Sequence, residues 1–220
     1  MFTHELVELT PLSTTTIDGK RHYQTPDGNV YPSVTTITSL HGKEGILEWR
    51  KRVGEEEANK ISNKAATRGT RVHKLCEDYL NNELSFEGAM PNSIALFKQM
   101  QPFLDKYIGK VYGIECPLYS HHLRVAGKSD CIAQFDGKNA VVDFKTANKP
   151  KQEHWIQNYF MQCAAYAVAF EERTKISIPR IAIVVAVEGD SPQLFVKKRD
   201  DYIDMFISYR KQYDEQLLLG

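Results

Sequence analysis

The stretch from Val125 to Thr146, VAGKSDCIAQFDGKNAVVDFKT, constrains this chain more than any other. It reads as two β-strands, Arg124 to Phe135 and Ala140 to Thr146, joined at Asp136-Gly137, a dipeptide that favours a tight hairpin turn. The first strand carries Asp130. The second runs from Ala140-Val141-Val142 into Asp143-Phe144-Lys145. Side chains alternate along a strand, so Asp143 and Lys145 share a face. Two carboxylates and a lysine meeting at a sheet edge suit a hard divalent cation and an activated water. The structural alternative is a charged hairpin carrying a surface ion pair of little energetic value.

Composition narrows the field. The chain has 220 residues, 42% hydrophobic and 25% charged, enough for a sizeable core and ordinary for a globular protein. The reading is one domain over 1–220, with an N-terminal β/helical extension at 1–64, a central core at 65–170 and C-terminal strands and a helix at 171–220. Lys plus Arg equals Asp plus Glu at 28 each, so any anionic partner must be met by local positive charge. No run approaches the ~18 apolar residues of a membrane span, and MFTHELVELT lacks a basic start and an apolar run, so a cytoplasmic, membrane-free protein is expected. Cys76, Cys116, Cys131 and Cys163 are scattered without a CxxC pair, which reads as buried reduced thiols.

Residues 1 to about 40 are turn-rich, with Asp18-Gly19 and Asp27-Gly28 separating short strands such as Arg21–Gln24 and Val30–Tyr31. In Tyr31-Pro32-Ser33-Val34-Thr35-Thr36, Ser33 or Thr35 is read as a helix cap in preference to a phosphate contact. A helical pattern runs from Gly45 to Leu80, studded with cations that form either a solvated face or a phosphate-tracking groove. Within it, Gly69-Thr70-Arg71-Val72-His73-Lys74-Leu75-Cys76-Glu77 sets His73 and Glu77 on one face. A helix from Ser93 to Tyr107 and a strand from Lys110 to Ser120, the latter holding Glu115, precede the hairpin. A helix from about Gln152 to Glu172 follows it, with Gln162 and Tyr166 four apart. Arg180 to Val187 reads as a buried strand, Gln193 to Lys197 as its partner and Asp200 to Leu219 as a closing helix.

Four elements thus stand in order: GTxxHxxxE at Gly69–Glu77, GxxD ending at Asp130, DxK at Asp143–Lys145 and QxxxY at Gln162–Tyr166. The combination resembles the RecB-like family of PD-(D/E)XK nucleases, over residues 65 to 170 and more loosely in the flanks. The proline of the family name is replaced by Ser129, a position that supplies no ligand. The resemblance implies an α/β, restriction-endonuclease-like core, a central mixed β-sheet flanked by helices. It also implies a DNA exonuclease that hydrolyses phosphodiester bonds from single-stranded ends in replication, repair or recombination. A nuclease fold that only binds DNA, an endonuclease and a duplex-end exonuclease are the alternatives.

The same resemblance implies one or two Mg²⁺ or Mn²⁺ ions held by His73, Asp130, Asp143 and the backbone carbonyl of Phe144. Lys145 orients or deprotonates the attacking water, and Gln162 and Tyr166 hold the water, the lysine or the strand. Glu115 sits near the metals or on a solvent face. Glu77 orients His73 or forms a salt bridge. Arg68, Arg71, Lys149, Lys151 and Tyr159 are the DNA contacts. Some relatives carry an iron–sulfur cluster on one early and three late cysteines; this cysteine pattern differs, and no cluster is expected. No protein partner is legible, and a Walker lysine loop is missing from the sequence.

Overall fold

Alternation along the central strands dictates helices on both sides of one sheet. In the strand Arg180–Val187, Ile181, Ile183, Val185 and Val187 feed one core while Ala182, Val184 and Ala186 feed another. The computed structural model describes residues 1–219, the side chains at 43 and 44 excepted. A two-residue strand β1 (Thr3–His4) precedes a small antiparallel sheet of β2 (Ser13–Ile17), β3 (Lys20–Gln24) and β4 (Val30–Pro32). Helices α1 (Val34–Thr38), α2 (Lys43–Val53), α3 (Glu55–Leu80) and α4 (Pro91–Tyr107) follow. Next come β5 (Ile108–Ser120), β6 (Val125–Phe135) and β7 (Lys138–Ala147), a 3₁₀ turn at Glu153–Trp155, and α5 (Gln157–Thr174). Strands β8 (Arg180–Val187) and β9 (Gln193–Lys198) and helix α6 (Asp200–Leu219) close the chain.

The main sheet has the order β1-β5-β6-β7-β8-β9. The β5–β6–β7 meander and the β8–β9 pair are antiparallel, whereas β1–β5 and β7–β8 are parallel, with α5 as the crossover to β8. This is the mixed α/β architecture expected from the sequence. Helices α3 and α4 cover one face through Val72, Cys76, Leu80, Phe97 and Met100; α1, α5 and α6 cover the other through Ile37, Phe160, Phe170 and Phe206. Each such side chain is essentially fully buried, and burial of one contributes about 1.5–3 kcal/mol. No helix is long and apolar enough to cross a membrane among the described residues.

Local chemistry accounts for the joints. Asp136 and Gly137 both adopt positive φ (49° and 75°), as do Asp18 and Gly19 (49° and 70°), the signature of the hairpin turns their sequences announce. Ser33, and not Thr35, caps α1: its hydroxyl accepts a 3.0 Å hydrogen bond from the Thr36 N–H. The helical pattern at 45–80 is two helices. Gly54, at φ 87°, breaks it, and Glu55, Glu56 and Glu57 occupy the first turn of α3, where the helix dipole favours them. Helix α4 starts at Pro91, two residues earlier than Ser93, because proline suits the first helical position. The helix expected from Gln152 is a 3₁₀ turn followed by α5.

Candidate active site

Strands β6 and β7 pair only from Phe135↔Lys138 to Cys131↔Val142. Beyond that step they part: β6 continues along β5, and Asp143–Ala147 follows β8. The sequence motif sits in this fork. Asp130, the first β6 residue past the pairing, accepts a 2.9 Å hydrogen bond from the Phe144 N–H through Oδ2. Its Oδ1 lies 3.5 Å from His73 Nδ1, brought in by α3. Asp143 and Lys145 share a face of β7, as alternation requires, and Lys145 Nζ lies 2.5 Å from Asp143 Oδ2. From α5, Gln162 Nε2 donates a long 3.4 Å contact to Asp143 Oδ1. Tyr166, one turn on, is buried beneath β6. Gly127 makes that possible: a Cβ there would stand 2.7 Å from Tyr166 Oη and 2.9 Å from its Cε1.

The electrostatics follow from burial. Burial pushes the Asp130 carboxyl up, but the hydrogen bond and charge of His73, with Lys145 and the Phe144 N–H, outweigh it and hold the group below the usual carboxylate range. Asp143 goes the other way. Burial, reinforced by Asp130, outweighs Lys145 and lifts its carboxyl to about 6. Burial would lower Lys145, yet Asp143 and Asp130 together raise it well above the usual lysine range. Burial also opposes protonation of His73, and Asp130 more than compensates, raising it above the usual imidazole value. Two adjacent carboxylates with affinities driven apart mark a site fit for chemistry.

The donor set, two carboxylates and an imidazole, fits a hard divalent cation with oxygen preference. One contact bears on the fit: buried Asp143 Oδ2 is engaged by the Lys145 ammonium at 2.5 Å, a positive charge already held where the donor set converges. The rotamers present spend the carboxylates on Lys145 and the Phe144 N–H. Among the described residues, no group of three His, Cys, Asp or Glu side chains stands close enough to cage an ion.

Phe144 itself places its ring in the α3–α4 core, edge-on to His73 at 6.3 Å between centroids. Glu77 bonds Lys74 at 3.1 Å, so of its two readings the salt bridge is the one seen; the acceptor beside His73 is Asp130. Glu115, at φ 51° inside β5, pairs with Lys128 on β6. A cleft of about 600 Å³ opens beside the fork, lined by Arg21, His73, Glu77, Glu115, Lys128 and Asp130 among others.

The expected DNA contacts separate. Arg68 is corrected: it is 6% exposed, and its guanidinium bonds Thr146 at 3.3 Å, Glu188 at 2.7 Å and Asn148, so it clamps α3 to β7 and is closed to a phosphate. Arg71 is exposed but faces a hollow with Lys64 and Pro91, away from the His73 cleft. Lys149 is exposed just past β7. Lys151 is half-buried, its backbone held by Gln193 through bonds of 2.6 and 2.9 Å. The Lys145 ammonium stands 5.1 Å over the Tyr159 ring. Sequence reasoning passed over Arg21 and Lys128. Lys128 lies within GxxD, and Arg21 stands two residues before buried Tyr23 on a strand, so period-two alternation was the available signal. The four cysteines are buried free thiols, each raised by burial, Cys116 to about 12.

No family model matches the chain. It is similar to mitochondrial genome maintenance exonuclease 1 from Homo sapiens, 30% identical over 179 residues, covering 74% of this chain and 51% of that protein. The Mus musculus protein of the same name is 29% identical over 178 residues, with 74% and 52% covered. The chain spans about half the length of the curated relatives it matches. Among solved structures, it is similar to a presumed exonuclease from Eubacterium rectale, with TM-score 0.46, 14% identity and coverage of 69% of this chain and 66% of that one. With the four motifs in order and each supplying a residue at one fork in a mixed sheet, the likeness to these exonucleases supports the resemblance to the RecB-like nuclease family.

Proposed function

We propose that this chain is a divalent-metal-dependent DNA exonuclease acting on single-stranded ends, with a role in DNA replication, repair or recombination. The observation that carries the proposal is the convergence of Asp130, Asp143, Lys145 and His73 at the β6–β7 fork, beside an open cleft. Asp130, Asp143, His73 and the Phe144 carbonyl would hold one or two Mg²⁺ or Mn²⁺ ions, which supply an activated water and neutralise charge at the phosphate. Asp143, whose Oδ2 pairs with the Lys145 ammonium at 2.5 Å, would offer its carboxylate to such a cation.

The remaining steps belong to the protein. Lys145, protonated between two carboxylates, offsets the negative charge that builds on the phosphate; this supports an electrostatic role over that of a base. Gln162 orients Asp143 and the water beside it. Tyr166 wedges α5 against Gly127 and so fixes where Gln162 stands. The cleft is lined by residues of α3 and by Arg21 of β3, and the single-strand reading rests on the family resemblance.

The test uses end-labelled single-stranded DNA, linear and circular, with Mg²⁺, Mn²⁺ or EDTA, beside an Asp143→Ala control. Metal-dependent loss of the linear substrate alone is expected. Cutting of the circle would make the protein an endonuclease. Binding without cleavage on any single-stranded, duplex or flap substrate would leave a DNA-binding module and overturn the proposal.

A further inference from the structure

The cations lining the active-site cleft are not equivalent. Lys74 is held by Glu77 at 3.1 Å and by Asp78 at 2.9 Å. Lys128 is paired with Glu115, and His73 leans on Asp130. Arg21, from the small N-terminal sheet, lines the same cleft and forms no ion pair among the described residues. A paired cation meets an incoming anion only by giving up a carboxylate; Arg21 presents its full charge.

Its position is fixed by the backbone. Strand β3 is hydrogen-bonded to β2 and β4, and the Ser33 N–H donates to the Arg21 carbonyl at 2.9 Å, extending that pairing past β4. Tyr23, two residues on, is buried in a cluster with Tyr119 and with Ala126 of β6. Alternation puts Arg21 on the same side as Tyr23, where it lines the cleft while remaining exposed to solvent. Ser33 also bridges to Ala126, one residue before Gly127, which ties the small sheet to the strand that carries Asp130.

Arg21 also lines a second hollow of about 490 Å³, shared with Lys20, Ser33, Thr35, Thr36 and Tyr213. There the Lys20 ammonium sits 4.9 Å over the Tyr213 ring. Arg21 is the residue that the two hollows share. A chain of phosphates leaving the fork toward the small sheet must cross Arg21, and a planar guanidinium matches phosphate oxygens with two parallel hydrogen bonds.

We propose that Arg21 is a substrate-binding residue that grips one backbone phosphate of the nucleic acid between the fork and the hydroxyl-lined hollow, and so sets the position of the strand relative to Asp130 and Asp143. The inference rests on the nuclease reading of the fork.

The experiment measures binding by fluorescence anisotropy in EDTA. The probes are single-stranded oligonucleotides with one phosphate at a time replaced by a neutral methylphosphonate, and the proteins are wild type, Arg21→Ala and Arg21→Lys. For the all-phosphate strand, Arg21→Ala is expected to weaken binding about tenfold, the scale of one lost charge-assisted hydrogen-bonded contact. Its slope of log affinity against log salt drops by about 0.7. Arg21→Lys recovers part of the affinity. At one linkage, the methylphosphonate weakens the wild type about as much as the mutation does and weakens Arg21→Ala no further. A merely structural role for Arg21 would give no such position. If wild type binds and cleaves while Arg21→Ala loses the same factor at every linkage, or loses nothing, the proposal is overturned and the nuclease reading stands. If wild type neither binds nor, with Mg²⁺ or Mn²⁺, cleaves the unmodified strand, both fall together.

Discussion

Helix α3 reaches the strands beneath it through Arg68, which is buried, and through His73, which is half-buried. At Arg68 the meeting is complete: the guanidinium is 6% exposed and shared among Thr146, Asn148 and Glu188. At His73, five residues along the helix, it is incomplete. Asp143 pairs with Lys145, but Asp130 and Asp143 share the same buried space and have proton affinities displaced in opposite directions. At the clamp a guanidinium is shared among neutral and anionic acceptors, whereas at the fork two carboxylates raise each other's cost of ionisation. Satisfied polar clusters hold a fold together; unsatisfied ones cost stability and persist where the chemistry needs them.

The sharpest break of that comparison lies in reciprocal variants. At the fork, Lys145→Ala is expected to reduce cleavage roughly 10²–10³-fold, as removal of a group aimed at developing charge does. Asp143→Ala reduces it beyond detection. Both still melt cooperatively. Asp143→Ala stays near the wild-type temperature because it also removes one of two crowded carboxylates, while Lys145→Ala melts somewhat lower because it strips buried Asp143 of its ion-pair partner. At the clamp, Arg68→Ala should do the reverse. Hydrogen bonds to a charged group are worth about 1.5–3 kcal/mol. Glu188 is half-exposed and rehydrates, which keeps the total to about 2–4 kcal/mol. For a chain of this size that lowers Tm by roughly 5–12 °C. Assayed well below that melting point, the variant retains most wild-type activity. A stable but inactive Arg68→Ala protein would make the clamp part of the site and erase the distinction.

A smaller effect probes how the fork is braced. The methyl group of Gly127→Ala would meet the Tyr166 hydroxyl oxygen at 2.7 Å and a ring carbon at 2.9 Å, closer than such atoms stand, so Tyr166 and α5 must shift. Overpacking of this kind costs about 1–3 kcal/mol. Because Gln162 rides on the same helix face, cleavage should drop more than stability alone accounts for, roughly tenfold at full folding. Thermal melting and steady-state cleavage on one preparation check this. A loss of stability with unchanged turnover would reduce Tyr166 to core packing.

The sequence made the fork legible and the clamp illegible for a physical reason. Asp130, Asp143, Lys145, Gln162 and Tyr166 sit at spacings that strand and helix periodicity convert directly into shared faces. The Asp-Gly turns at 18–19 and 136–137 adopt the backbone their residues favour. Arg68, by contrast, lies on α3 among exposed cations such as Lys64 and Arg71. Its partners come from the ends of β7 and β8, a tertiary fact no local pattern holds. Arg21 is an intermediate case: alternation puts it on the side of buried Tyr23, but only the docking of a separate small sheet beside β6 brings it to the cleft. Gly54 was readable as a breaker, but the continuous charge pattern around it hid the end of one helix and the start of another.

The smallest expected effect concerns Gln162, and it separates orientation from packing within the fork itself. Its amide reaches Asp143 Oδ1 at 3.4 Å, too long to contribute much to stability, and the residue is only half-buried. Gln162→Ala should therefore move Tm by less than about 2 °C, the range of a substitution that opens no core cavity. Cleavage should still decline about three- to tenfold, entirely in kcat, since the amide steadies a carboxylate already in place and contacts no remote part of the strand. Raising the divalent ion concentration recovers part of the loss if the amide acts by orienting Asp143 toward the cation. A KM effect with kcat unchanged would instead place Gln162 on the substrate, and the fork would then hold Asp143 by Lys145 alone.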